Sequence, residues 1–130
     1  MRPVRKYGNK KIVNAFGEFD SALEYRRFLV LKDAERQGVI SNLRCQVPYL
    51  LIPHQSKTVI VHLKTKDKTE EKLVERKVEY VADFVYVKDG LEVVEDTKGM
   101  RLADYILKRK MMLYFHKIEI REVKKASETV

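Results

Sequence analysis

The dipeptide Asp89-Gly90 constrains the fold of this chain more than any other short segment, because it lies between two apolar runs. An Asp-Gly pair in that setting is typical of a two-residue turn that joins antiparallel strands. Such a turn predicts that Lys88 pairs with Leu91. When the register is continued, Asp83 comes to lie opposite Asp96.

The predicted pair would bring two carboxylates to one face of the sheet, with Cβ atoms about 4.5–5.5 Å apart. Like charges at that separation repel each other, whereas a divalent cation between them makes the arrangement favourable. Lys98 follows Asp96 by two residues, so strand alternation points it to the same face. The alternative is a solvated hairpin on which Lys98 pairs with the acids. The apolar residues around the acids argue against a solvated hairpin. The predicted pairing alone leaves both interpretations open. A one-residue shift in the register of the hairpin would remove the pair.

Glu24 is a further acidic candidate with two possible roles. In Ser21-Ala22-Leu23-Glu24 it fits a capping box, where its side chain would bond the Ser21 backbone N–H. Its spacing to Phe28 and Leu31, however, places it on the inward face of the same helix. From the residues alone, the cap is favoured.

The charge balance indicates a polyanionic partner. The chain has 130 residues, with 27 Lys and Arg against 19 Asp and Glu, and a formal net charge of +8. Basic side chains gain by displacing counterions from phosphates, which favours nucleic acid over a soluble protein that is merely basic. The candidate DNA-binding residues are Arg5, Lys6, Lys10 and Lys11 near the N-terminus and Arg101, Lys108 and Lys110 on the second helix; a solvated surface is the alternative for each.

Cysteine and histidine usage excludes some classes of site. The single Cys45 cannot form an internal disulfide, and its apolar neighbours predict a buried, unreactive thiol. The three histidines lack the spacing of zinc ligands. No apolar stretch is long enough to span a bilayer, and an intracellular, reducing compartment is expected.

The order of predicted elements indicates one α/β domain around a mixed sheet. A basic arm is predicted for residues 1–18, the domain for 19–125 and a loose tail for 126–130. Within the domain, the predicted elements are a helix over 20–37, strands at 47–52 and 58–63, a charged turn at 64–71, strand character from about 73 to 87, a strand at 91–97, a helix over 101–115 and a final short strand within 118–123.

Asp83 followed by Asp96-Thr97-Lys98 resembles the two-part signature of the PD-(D/E)XK nuclease superfamily. Further segments resemble a family of small phage and prophage proteins that is placed in this superfamily and sometimes labelled as Holliday-junction-type endonucleases. Those segments are Lys6-Tyr7-Gly8-Asn9-Lys10, Phe19-Asp20-Ser21 with Glu24, Tyr80-Val81-Ala82-Asp83-Phe84 and Val94-Glu95-Asp96-Thr97-Lys98-Gly99. The match runs from Lys6 to Val123, and Ala82 stands where the superfamily name implies proline.

The resemblance implies a restriction-endonuclease-like core of order αβββαβ and a magnesium site, with Mn²⁺ as a substitute. It implies that Asp83, Asp96, the Thr97 carbonyl and Glu24 hold the metal and that Lys98 is catalytic. Glu95 and Gln46 are secondary candidates, because Glu95 alternates away from Asp96 and Gln46 only resembles a polar position near the site.

The implied function is metal-dependent hydrolysis of DNA phosphodiester bonds, in branched or recombination-intermediate DNA, by a homodimer in the cytoplasm of a bacterial host of a phage or prophage. Three alternatives stay open at this point. They are a non-catalytic DNA-binding module, an RNase or repair nuclease acting on flaps, and a protein-binding scaffold of a phage recombination system.

Overall fold

The computed structural model describes residues 11–98 and 101–130. Strands predominate among its elements. In chain order, they are β1 (Ile12–Asn14), β2 (Gly17–Phe19), α1 (Ala22–Arg36), β3 (Ser41–Ile52), β4 (Gln55–His62), β5 (Asp67–Glu75), β6 (Val78–Lys88), β7 (Leu91–Thr97), α2 (Ala103–Met111), a π-helical turn (Met112–His116) and β8 (Arg121–Val123).

A four-stranded mixed sheet forms the centre of the molecule, in the order β3-β6-β7-β8. β6 is antiparallel to both of its neighbours, β3 and β7. β8 runs parallel to β7. A parallel neighbour needs a crossover, which α2 provides. The expectation of a mixed α/β fold is confirmed.

The two helices contribute to separate apolar clusters that draw on alternating residues of the same sheet. The α1 cluster includes Phe28, Leu31, Phe84 and Tyr86. The α2 cluster includes Tyr105, Met112, Val85 and Val94. Because Phe84 and Val85 are neighbours on β6 and point to opposite faces, the sheet is covered on both sides.

The hairpin between β6 and β7 has the predicted register. Lys88 pairs with Leu91, and Phe84 pairs with Glu95. Asp89 and Gly90 adopt φ angles of 52° and 78°, the left-handed conformations that a type I′ turn requires. The register from which Asp83 and Asp96 are predicted to lie together is therefore confirmed as far as Phe84 and Glu95.

Helix α1 begins and ends where the sequence predicts. Ser21 is the N-cap, and its hydroxyl accepts a 3.1 Å hydrogen bond from the backbone N–H of Glu24. Gly38, at a φ of 80°, follows the last turn and lets the Val39 N–H return to the carbonyl of Ala34 at 2.9 Å.

The charged segment predicted as a turn is mostly strand. β5 starts at Asp67 and pairs along β4 to form a separate two-stranded ribbon. All nine residues of β5 are exposed, so no apolar alternation marks the strand in the sequence. β3 likewise begins six residues before the predicted 47; its first six residues are exposed except Leu43, so they show no apolar alternation. The second helix is shorter than predicted and gives way to the π-helical turn at Met112.

Ordered structure extends beyond the predicted domain at both ends of the described chain. The second half of the predicted arm forms the β1–β2 hairpin, while residues 1–10 lie outside the described residues. The tail at 126–130 is not loose. The guanidinium of Arg27 donates to the carbonyls of Ala126, at 3.0 Å, and of Glu128, and Val130 packs against the α1 cluster.

Cys45 is exposed, which corrects the expectation of a buried thiol. It lies on β3, and β3 is at the edge of the sheet. The apolar residues around it in the sequence therefore do not enclose it.

Candidate active site

The ladder between β6 and β7 ends beside the predicted acids. Its last pair is Phe84 with Glu95. One step further, Asp83 accepts two hydrogen bonds through Oδ2, from the backbone N–H and from the hydroxyl of Thr97, both at 2.9 Å. In an uninterrupted antiparallel ladder, that N–H would bond a main-chain carbonyl of β6. The carboxylate of Asp83 thus takes the place of the backbone where the two strands separate.

The alternation of β6 is interrupted at the same residue. Ala82 belongs to the α2 cluster and Phe84 to the α1 cluster, although residues two apart on a regular strand share a face. Across from this point, Gln46 on β3 has a φ of 53°, the left-handed region that few non-glycine residues adopt. Local distortions of this kind redirect side chains, and they are common next to active sites.

Asp96 is almost completely buried, at 1% exposure. Its Oδ2 accepts a 2.5 Å hydrogen bond from the hydroxyl of Tyr80. Its Oδ1 lies 3.1 Å from Nζ of Lys98, yet no hydrogen bond to this oxygen is formed within the described part of the chain. Nζ of Lys98 also lies 4.5 Å from the ring centre of Tyr105, a cation–π contact that holds the ammonium group over the start of α2.

Glu24 reaches the same region from the first turn of α1 and is 2% exposed. Its Oε1 accepts a 2.5 Å hydrogen bond from the amide of Gln46, and its Oε2 accepts one of 2.9 Å from the backbone N–H of Asp20. The capping box is therefore half formed: Ser21 caps the Glu24 N–H, but the Glu24 side chain bonds Asp20 instead of Ser21. The inward position expected from helical spacing is confirmed.

The three acids interact electrostatically. Burial raises the pKa of Asp83 well above its usual range, and the charges of Asp96 and Glu24 raise it further, against the lowering effect of the Thr97 hydrogen bonds. Burial also raises the pKa of Glu24, against the lowering effect of its hydrogen bonds from Asp20 and Gln46, and the charge of Asp20 and, less, that of Asp96 add to the rise. Burial, followed by the charge of Asp96, raises the pKa of Tyr80, which keeps its hydroxyl a donor. Carboxylates that are removed from water next to one another lower the stability of the folded state unless a cation offsets their charge.

Mg²⁺ is compatible with the oxygens available here. Among the described residues, no group of three or more His, Cys, Asp or Glu side chains is arranged as a metal site. Mg²⁺ needs only one or two carboxylates, because it retains several waters. The buried Oδ1 of Asp96, without a hydrogen bond, is one available ligand. The Thr97 carbonyl is another, since it points to the same side of β7 as the Thr97 N–H, toward Asp83.

Glu95 lies on the opposite face and has a different partner. Its carboxylate forms two bonds with the guanidinium of Arg27, at 2.6 and 3.0 Å, and accepts a third from the hydroxyl of Tyr86 at 2.7 Å. Both ion-paired side chains are completely buried. Sequence reasoning missed Arg27, Tyr80 and Tyr105. For Arg27, the available signal was its inward helical position, three residues after Glu24.

The proposed DNA-binding residues divide into three groups. Arg5, Lys6 and Lys10 lie outside the described residues. Lys11 is 2.8 Å from Glu18, and Arg101 is 2.7 Å from Glu122, so these two cations already have acidic partners. Lys110 on α2 is exposed, and Lys108 is half-buried.

Fold and site together define a mixed α/β domain with a buried acidic cluster and an adjoining lysine. The chain belongs to the family described as "Protein of unknown function (DUF1064)", whose model matches residues 4–128. A search of curated proteins and a search of solved structures each returned no match. Within the described residues, none of the helices has the length and apolar character needed to cross a membrane.

Proposed function

We propose that this protein is a magnesium-dependent endonuclease that hydrolyses DNA phosphodiester bonds, with a PD-(D/E)XK-type active site. The observation that carries the proposal is the position of Asp83 where β6 and β7 part: it is hydrogen-bonded to Thr97, the residue after Asp96, and it lies across from Gln46, which is hydrogen-bonded to Glu24. Burying Asp96 and Glu24 with Asp83 half-buried beside them has a large desolvation cost. A binding role for a cation accounts for that cost, whereas a purely structural role does not.

The order of elements supports a restriction-endonuclease-like core. Without the β1–β2 hairpin and the β4–β5 ribbon, the chain runs α1, β3, β6, β7, α2, β8. That order corresponds to αβββαβ, and the acids lie on its second and third strands. The fold alone does not imply the activity, which is argued from the site.

Asp83, Asp96 and the Thr97 carbonyl would hold Mg²⁺ or Mn²⁺, with Glu24 beside them. The metal, when bound, supplies positive charge for the scissile phosphate and acidifies a water. Tyr80 fixes the Asp96 carboxylate through Oδ2 and so directs Oδ1 away from the tyrosine. The two bonds from Thr97 fix Asp83 in the same way.

Lys98 is the proposed catalytic residue that contacts the reacting water or phosphate. Its side chain is 29% exposed, so it reaches both Asp96 and solvent. The contact with Tyr105 restricts its position. An ammonium group held there can orient a water and offset negative charge that develops on the phosphate.

The proposed substrate is branched DNA, and the proposed assembly is a homodimer, because cutting a symmetric junction on both sides requires two active sites. The net charge of +8 supports a polyanionic substrate. The proposed location is the cytoplasm of a bacterial host cell.

The deciding experiment is a single-turnover cleavage assay with a four-way junction, a flap, a plain duplex and RNA, in Mg²⁺ and in EDTA. Lys98→Ala and Asp96→Asn should each lower the rate of junction cleavage at least about 100-fold. Glu92→Gln is the matched control, because Glu92 is an exposed acid on the same strand. Near-normal rates in either site variant would overturn the mechanism. Binding of DNA without cleavage by the wild type would leave a non-catalytic binding module, and preferential cleavage of RNA would contradict the proposed substrate.

A further inference from the structure

The π-helical turn after α2 exposes two adjacent aromatic rings. Tyr114 and Phe115 are 70% and 52% exposed, and their rings meet edge to face with centroids 5.0 Å apart. Contiguous exposed apolar surface often marks an interaction site. A π-helical turn is also uncommon and occurs often at functional sites.

The turn is held in place by its neighbours. Nζ of Lys117 donates a 2.8 Å hydrogen bond to the carbonyl of Tyr114 and lies 5.2 Å from the centre of its ring. His116 Nε2 lies 2.6 Å from the carbonyl of Leu50 on β3. The turn that carries the two rings is therefore attached to the central sheet, so its backbone needs little ordering when a ligand binds.

The charged side chains within the segment that carries the rings are all cations, and the next carboxylates in the chain are Glu119 and Glu122. Residues 108–117 contain Lys108, Arg109, Lys110 and Lys117 and no carboxylate. Arg109 is paired with Glu122 at 3.2 Å, whereas Lys110 and Lys117 are exposed. Exposed rings between cations match a ligand that has flat faces and negative charges.

The turn also lies on the same face of the sheet as Lys98. Lys98 contacts Tyr105 of α2, and Met112, which opens the turn, belongs to the same apolar cluster as Tyr105. His116 meets β3 at Leu50, four residues beyond Gln46, a separation of about 13 Å along the strand. A polynucleotide strand that passes the acids can reach the rings a few nucleotides away.

We propose that Tyr114 and Phe115 form a stacking platform for unpaired bases of a nucleic acid, whose phosphates are bound by Lys110 and Lys117. In combination with the proposed function, on which it builds, this makes DNA with a single-stranded or unpaired segment the preferred substrate. Stacking on aromatic side chains tolerates any base sequence, and paired bases in a duplex do not offer their faces to it.

The test measures binding in EDTA, which separates it from cleavage. The probes are a fluorescein-labelled single strand of about 20 nucleotides and the blunt duplex of the same sequence, a length that exceeds one single-strand site. Anisotropy titrations should show that Tyr114→Ala/Phe115→Ala weakens single-strand binding about 10-fold or more, while duplex binding changes less than about twofold. Thermal melting by circular dichroism verifies that the double variant is folded.

Two variants separate stacking from other roles of the turn. Tyr114→Phe keeps the ring and should bind the single strand like the wild type. Leu113→Ala removes a neighbouring apolar side chain that is 54% exposed and has no aromatic face, so it should also bind normally.

Equal losses on single strand and duplex, an equal loss in Leu113→Ala, or unchanged binding by the double variant would each overturn the platform. Conversion of a dimer to a monomer in light scattering, with single-strand binding unchanged, would show that a second copy of the chain covers the rings. If the double variant loses single-strand binding and the wild type does not cleave any of the DNA substrates in Mg²⁺, only the nuclease proposal fails.

Discussion

The hydroxyl of Tyr80 donates to Oδ2 of Asp96 at 2.5 Å, and this bond orients a carboxylate whose other oxygen has no hydrogen bond among the described residues. Tyr80 lies two residues before Ala82 on β6, and Asp96 lies on the neighbouring strand β7. The pair spans the opening between these strands. The hydrogen bond therefore contributes both to the stability of the fold and to the orientation of the Asp96 carboxylate.

Tyr80→Phe removes only this hydroxyl. It should lower the free energy of unfolding in EDTA by about 1–3 kcal/mol, because a buried carboxylate oxygen then lacks a donor. Urea denaturation followed by circular dichroism measures the change. Tyr49→Phe is the control, since the hydroxyl of Tyr49 donates at 3.0 Å to the exposed Glu92; it should cost less than about 1 kcal/mol. Equal losses in the two variants would contradict the importance of the Asp96 bond.

Asp83→Asn should stabilise the metal-free protein, and the gain should increase with pH. The pKa of Asp83 is raised in the folded protein, mainly by burial, so the folded state binds protons more tightly than the unfolded state does. The free energy of unfolding of the wild type therefore falls as pH rises from about 4, the value of an unfolded Asp, toward the raised pKa. Thermal melts of the wild type and the variant in EDTA over this pH range measure the difference.

A control with the opposite sign is available in Glu35. Its pKa is lowered by the hydrogen bond from the Leu43 N–H, so Glu35→Gln should be destabilising at neutral pH, with a difference that shrinks as pH falls below the usual Glu range.

Added Mg²⁺ should raise the melting temperature of the wild type at neutral pH but not that of Asp83→Asn. A constant difference between the wild type and Asp83→Asn at all pH values would refute the linkage.

Arg27→Met should be strongly destabilising, because Glu95 would remain buried and keep only the more distant Arg121, whose Nη1 lies 3.9 Å from its Oε2. A loss of about 3–5 kcal/mol in the free energy of unfolding is expected from denaturant titrations. Arg36→Met is the matched control: Arg36 lies 3.7 Å from Asp33 in an exposed pair on the same helix, and its loss should cost less than about 1 kcal/mol. Arg27→Met/Glu95→Leu should recover much of the stability. A small effect of Arg27→Met alone would argue against a buried ion pair.

Deletion of residues 126–130 should destabilise the fold as well. The carbonyls of Ala126 and Glu128 accept hydrogen bonds from Arg27, and leaving that buried donor unsatisfied costs about 1–3 kcal/mol. Ser127→Ala and Thr129→Ala retain the backbone and serve as controls with little expected change. Thermal melts compare the three variants, and a deletion that melts like the wild type would mean that the tail contributes nothing.

The parts of the fold and site that were predictable depend on local rules. The Asp89-Gly90 turn determined a register that extends to Glu95, and alternation then placed Asp96 and Lys98 together. Helical spacing also placed Glu24 on the inward face. These predictions used residues close in the chain, where turn chemistry and periodicity decide the structure.

The parts that were missed depend on tertiary contacts. Arg27 and Glu95 are 68 residues apart, and no local pattern links a helical arginine to a particular strand carboxylate. The strand β5 is charged and exposed along its length, so it lacks the alternation by which strands are recognised. The irregular backbone at Gln46 and Asp83 also has no local signature, although it determines where the acids point.

The β4–β5 ribbon enters and leaves the domain at one place. Ile52 at the end of β3 pairs with Val78 at the start of β6, on either side of the ribbon. A chain in which a short loop replaced the ribbon would still join these two strands. Variants of this domain can therefore differ in length here, gaining or losing the whole ribbon, without any shift in Asp83, which lies farther along β6.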